Sequence, residues 1–214
     1  MISIILETIS VYTLLIIETT GYFGVFILMV LESANIPIPS EIIMPFSGFL
    51  ASPAGSPTGK GVFNFWLVIF IGAFGNLIGS LFSYWLGYLT RKGVFHWNNH
   101  KVSAEVERAR QWLARFGDWA VFISRILPVI RTFISFPLGI IKVKSLWRFS
   151  ILTFAGSFIW SAFLTYLGFI FGKNWEILSV YFRKFDYLIL ALILITAGWW
   201  LWRHIKNRRL TTND

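Results

Sequence analysis

Apolar residues run through this chain in long blocks separated by short polar connections, and the placing of the interruptions predicts the elements. From Val62 to Leu89 and from Ser145 to Gly172 the apolar character holds long enough for a helix to cross the hydrocarbon layer, which takes roughly 20 residues. Tyr187 to Trp202 predicts a further span, with Trp199, Trp200 and Trp202 at its interfacial end. A membrane barrel would show short alternating segments instead, so the pattern predicts an all-α integral membrane fold. Residues 1–20 are apolar but carry Glu7 and Glu18, which suits an N-terminal helix that is amphipathic or only partly inserted.

Two further apolar blocks are cut in the middle. In residues 21–51 the run from Asn35 through Pro37, Pro39 and Ser40 to Glu41 leaves halves of about 14 and 10 residues, each too short to span. Residues 118–141 repeat the theme: Trp119 to Leu127, a break at Pro128, then Arg131 to Ile141 with Pro137 and Gly139. Two half-length helices meeting at a break predict a re-entrant hairpin in each case. Between them, 52–61 is a turn-rich loop. The stretch 101–116 has a helical pattern with Trp112, Leu113 and Phe116 as its apolar edge, which predicts a helix lying along the membrane surface. Residues 21–172 thus form the core, 187–202 a C-terminal span and 203–214 a basic tail.

Charge supplies the orientation. Of 19 Lys and Arg, thirteen fall in 90–117, 142–148 and 203–214, against four in 52–61 and 173–186. By the positive-inside rule the first group is cytoplasmic, the C-terminus with it, and the chain is multi-pass. The first hairpin then enters from outside and the second from the cytoplasm, so the two are oppositely oriented. The net charge of +9 is explained by this topology and calls for no nucleic acid partner. The absence of cysteine excludes disulfides and thiolate sites. No basic n-region or small-residue cleavage site precedes the first apolar run, so no removable signal peptide is expected.

An internal repeat accompanies the opposed hairpins. At an offset of 81, Trp66, Gly75, Ile78, Phe82, Leu86 and Gly87 align with Trp147, Gly156, Ile159, Phe163, Leu167 and Gly168. The hairpins open alike, with Gly21, Val25, Phe26 and Ile27 beside Gly117, Val121, Phe122 and Ile123. Opposed copies of one unit predict an inverted repeat, whose broken helices converge on a site near the midplane.

Candidate chemistry sits at those breaks: Glu32 and Glu41 flank the first, Arg125 and Arg131 the second. Ionisable groups at membrane depth are costly unless paired or facing water, so they mark a site. Guanidiniums bind phosphate oxygens in pairs and stay charged when desolvated, which points to a phosphate head group on Arg125 and Arg131. Glu32 and Glu41, balanced between burial and nearby arginine, are candidates for gating or proton coupling. The breaks at Pro37, Pro39, Ser40 and Pro128 would line the cavity. A structural alternative stands beside this, in which the Glu and Arg residues pair only to hold the hairpins together. Asn76 is a secondary candidate, expected to bond across to another helix. Asp118 is expected to cap the helix that starts the second hairpin. His96 and His100 have i, i+4 spacing but no acidic or cysteine partner nearby, so they are expected to be surface residues, with no metal site. No phosphate loop, nucleophile elbow or zincin motif occurs, so neither an enzyme nor a cofactor is expected.

These residues resemble the DedA family of bacterial membrane proteins, related to the eukaryotic VTT-domain or SNARE-associated group. The resemblance covers about residues 20–172. It rests on Phe23 to Phe26 leading to Glu32 and Ser33, on Pro37 to Glu41, on Gly72, Gly75, Asn76 and Gly79 with Tyr84 and Gly87, and on Arg125, Pro128 and Arg131 followed by Ala155 and Gly156. Many members have Pro-Gly-Asp where this chain has Pro39, Ser40 and Glu41. The resemblance implies two opposed re-entrant hairpins, two required acids and two required arginines, and a link to proton-motive force in the bacterial cytoplasmic membrane. It also implies movement of undecaprenyl phosphate or of phospholipids across the bilayer. The expectation is a polyprenyl-phosphate translocase, coupled to protons through Glu32 or Glu41. The alternatives are a phospholipid transporter or scramblase and a non-transporting scaffold. A homo-oligomer is compatible with the sequence.

Overall fold

A computed structural model describes residues 2–36, 38–56, 58–92, 100–127, 130–143 and 145–171, with side chains from residue 11 onward except 100–105. These residues belong to one compact unit, Met1–Lys173. Pro37, Pro128, His96 and the segments 173–186, 187–202 and 203–214 lie outside the described residues, as do the side chains of Glu7 and His100.

Everything regular among the described residues is helical: α1 Ile2–Thr20, α2 Tyr22–Ser33, α3 Ser40–Ala51, α4 Phe65–Arg91, α5 His100–Phe116, α6 Trp119–Ile126, α7 Ile130–Phe133, α8 Ser135–Ile141 and α9 Leu146–Phe171, with a single 3-10 turn at Pro53–Gly55. Helices α4 and α9, of 27 and 26 residues, are long and apolar enough to cross a bilayer; at 1.5 Å per residue each runs about 40 Å. Their outward faces carry Trp66, Phe70, Phe82 and Trp85 on α4 and Ile151, Ile159, Phe163 and Ile170 on α9, which suits a hydrocarbon solvent.

The first interrupted block divides where its sequence loses helical capacity. Helix α2 stops as Asn35 turns to φ 72, a left-handed conformation that Asn tolerates, and its last carbonyls are taken by the N–H groups of Ala34, Asn35 and Ile36. The chain then passes through extended Pro39 before α3 begins at Ser40. Each limb has 12 residues, so it runs about 18 Å, roughly half of a bilayer.

The second block is broken further than expected. Beyond α6, the return limb divides into α7 and α8. Pro137 has no N–H to give the carbonyl of Phe133 four residues back, and the helix steps there. Helix α3 carries an interior proline of its own, Pro45, which denies the Glu41 carbonyl its donor in the same way.

Small residues set the packing. Gly75 and Gly79 on α4 lie against the carbonyls of Phe26 and Val30 on α2, and Gly87 against that of Phe136 on α8. On α9, Gly156 lies against the carbonyl of Phe122 on α6, and Gly168 against that of Pro45 on α3. From the other side, Gly48 meets the carbonyl of Thr165 and Gly139 that of Tyr84. Each hairpin thus places its first limb on the long helix that follows it and its second limb on the other long helix. The backbone approach is too close for any side chain, which is why glycine stands at these positions.

Helix α5 packs against α6 and α8. Ala109, with Leu113 beside it, joins a cluster of Val121, Ile134, Leu138 and Phe149, while Phe116 is exposed. Asp118 corrects one expectation. It precedes α6, but its side chain makes no capping bond and pairs instead with Arg148 at 3.0 Å, because helical φ and ψ at Asp118 turn its carboxylate away from the free N–H groups.

Candidate functional site

The last turn of α2 and the single turn of α7 bring Glu32 and Arg131 together. Arg131 Nη2 donates to Glu32 Oε1 at 2.5 Å, and the two residues are 2% and 3% exposed. The second carboxylate oxygen of Glu32 accepts from Asn76 Nδ2 and from Ser33 Oγ, each at 3.3 Å. Asn76 in turn accepts from Ser157 on α9 at 2.7 Å. It therefore bonds across to two helices, α2 and α9, as its sequence position led one to expect of at least one. A buried carboxylate with this many donors is solvated by the protein rather than left bare.

The other acid joins through Ser40. Its hydroxyl accepts from Arg131 and lies 3.3 Å from Glu41 Oε2, to which it donates. Glu41 is partly buried at the start of α3, where the helix dipole favours a negative charge.

Arg125 is deeper still, 1% exposed. Its Nη1 donates to the carbonyl of Arg131 at 2.6 Å and its Nη2 to Ser135 Oγ at 2.7 Å. The two predicted arginines are thus brought together in series: the side chain of Arg125 holds the main chain that carries Arg131. No carboxylate pairs with Arg125 among the described residues, and its guanidinium lies over the Phe149 ring at 5.7 Å. Arg131 is likewise stacked, 5.2 Å from the centroid of Trp160. Pro39 sits at the entry to α3.

Ser33, Ser135, Phe149, Ser157 and Trp160 were not among the sequence candidates. One signal was available: Thr153, Ser157, Ser161 and Thr165 repeat every fourth residue along an apolar helix, and all four are buried. A polar stripe at helical spacing in a membrane span marks the inward face. Beside the site, a cavity of about 240 Å³ lies between α5 and the return limb, lined among others by Arg108, Trp112, Ile130 and Phe133.

Long helices with aromatic and aliphatic outer faces, closed around a buried guanidinium–carboxylate pair at two helix breaks, define a helical membrane protein with a polar centre. The chain belongs to the VTT-domain family, whose model matches residues 38–170. Similar to it are an alkaline phosphatase-like protein of Lactococcus lactis subsp. cremoris, 30% identical over 90% of each chain, and undecaprenyl phosphate transporter A of Staphylococcus aureus, 27% identical over 90% of this chain and 95% of the relative. Undecaprenyl phosphate transporter A of Bacillus subtilis is 30% identical over 73% of this chain and 74% of its own length. No solved structure matches the chain significantly.

Proposed function

We propose that the protein is a lipid transporter that carries undecaprenyl phosphate across the bacterial cytoplasmic membrane. The observation that carries this reading is the Glu32–Arg131 pair, buried yet shared with Ser40, Asn76 and Ser33. A phosphate arriving at Arg131 must compete with the Glu32 carboxylate. Protonating Glu32 removes the competitor and leaves a guanidinium for the head group, so proton binding and phosphate binding favour each other. Arg125 supports the clamp from behind, Glu41 senses Arg131 through Ser40, and the lipid tail stays in the bilayer.

The hairpins of this carrier are re-entrant, and with α4 and α9 they make up an inverted repeat. Support comes from the close approaches themselves. Gly75 and Gly87 stand 81 positions before Gly156 and Gly168 and meet the matching carbonyls, Phe26 with Phe122 and Pro45 with Phe136. The distribution of Lys and Arg supports a cytoplasmic C-terminus. Two relatives bearing the name of an undecaprenyl phosphate transporter support the choice of lipid.

The test is transport in liposomes. Undecaprenyl phosphate should cross with wild type, respond to an imposed pH gradient, and lose that response with Glu32→Gln. Indifference of wild type to the gradient would sink proton coupling; equal movement of phosphatidylethanolamine would favour a scramblase. The scaffold reading keeps one observation of its own, the completeness of the Glu32 bonds. It wins if Arg131→Ala abolishes folding while Glu32→Gln leaves lipid movement untouched.

A further inference from the structure

Helix α9 lays a stripe of Phe149, Thr153, Gly156 and Trp160 along the two arginines. Phe149 stacks on Arg125, Gly156 lets the Arg125 side chain pass against the helix backbone, and Trp160 stacks on Arg131. Two of the four, Thr153 and Trp160, have a buried polar atom without a hydrogen-bond partner among the described residues, and Trp160 is the one whose ring lies against Arg131. Its indole Nε1 is buried and has no hydrogen-bond partner among the described residues, and the same is true of Arg131 Nε beside it. A buried indole N–H normally finds an acceptor, since leaving one unmet is costly. The ring alone would have been supplied by phenylalanine, as at Phe149.

Building on the proposed reading of Arg131 as the phosphate clamp, we propose that Trp160 is a ligand-binding residue that selects a tetrahedral phosphate over a planar carboxylate. Glu32 meets Arg131 through one oxygen at its edge. The Arg131 guanidinium lies over the indole ring, its central carbon 5.2 Å from the centroid, so its donors and the indole N–H stand at different heights. A carboxylate lying along the guanidinium plane satisfies only the arginine. A phosphomonoester holds oxygens at different heights, so one takes the Arg131 donors while another accepts from Trp160 Nε1. That additional bond is what lets phosphate displace Glu32 from a guanidinium both can bind. The ring face meanwhile keeps Arg131 in register when its carboxylate partner is released.

Binding to the purified full-length protein in detergent tests this, using farnesyl phosphate, farnesoic acid and farnesol as probes. Wild type should prefer the phosphate to the carboxylate and the alcohol. Trp160→Phe, which keeps a ring and removes the N–H, should weaken farnesyl phosphate about tenfold, the scale of one hydrogen bond to a charged group, and leave farnesoic acid unchanged. Replacing Trp160 with its benzothiophene analogue, where sulfur stands for the N–H in a ring of the same shape, should do the same and serves if the phenylalanine variant does not fold. Equal loss for both anions, or no loss for either, overturns the role of Trp160. Wild type that fails to distinguish farnesyl phosphate from farnesol overturns the phosphate-carrier reading itself.

Discussion

Ser157 on α9 donates a 2.7 Å hydrogen bond to Asn76 on α4, and the two residues stand 81 positions apart, the separation that also relates Gly75 to Gly156 and Gly87 to Gly168. The bond joins the long helices at corresponding points, directly behind Glu32. Asn76→Ala removes the contacts to both Glu32 and Ser157 and should cost about 1–3 kcal/mol, whereas Ser157→Ala should cost about 1 kcal/mol or less. Thermal unfolding in detergent ranks the two, and an equal cost would mean that the Glu32 contact contributes nothing.

Removing one partner of the buried ion pair leaves the other charge stranded. Arg131→Ala should destabilise by about 3–5 kcal/mol, Glu32→Gln by less because glutamine still accepts from Arg131, and the double variant by clearly less than the sum. Additive losses in this cycle would show that Glu32 and Arg131 do not depend on each other.

The glycine seats give a purely steric prediction. A Cβ at Gly168 would strike the Pro45 carbonyl and one at Gly87 that of Phe136. In each case backbone meets backbone with no flexible side chain to yield. Gly168→Ala and Gly87→Ala should each cost about 1–3 kcal/mol and by similar amounts. Gly59→Ala, at φ 70 with open space around it, should cost only the local strain of about 1 kcal/mol. Melting temperatures compare the three.

At the surface, Asp118 and Arg148 form an exposed pair at 3.0 Å. Asp118→Ala should change stability by less than about 1 kcal/mol, and by nothing measurable at high salt. A larger loss at any ionic strength would restore a capping role to Asp118.

The first helix break could be read in advance because Asn35 and Pro39 act through their own backbones, which is information local to the chain, whereas the division of the second return limb into α7 and α8 was not read from Pro137. The residue types of the site could be read as well, since Glu32 and Arg131 have no business in an apolar stretch without partners. What Arg125 does could not, because its target is a carbonyl, and every residue has one. Trp160 was hidden for a related reason: in the middle of a span as rich in aromatics as α9, one more ring reads as packing or lipid-facing surface until its neighbour across the fold is known. Asp118 misled because a helix-opening aspartate is usually a cap, and the competing Arg148 lies 30 residues away.

The crossing of limbs between hairpins limits how this molecule can move. Drawing α4 and α9 apart would pull Gly48 off the Thr165 carbonyl and Gly139 off that of Tyr84 together, since each hairpin is fastened to both long helices. Separation is therefore the expensive motion, and any rearrangement that leaves these seats intact has to carry each hairpin limb along with the long helix it sits on.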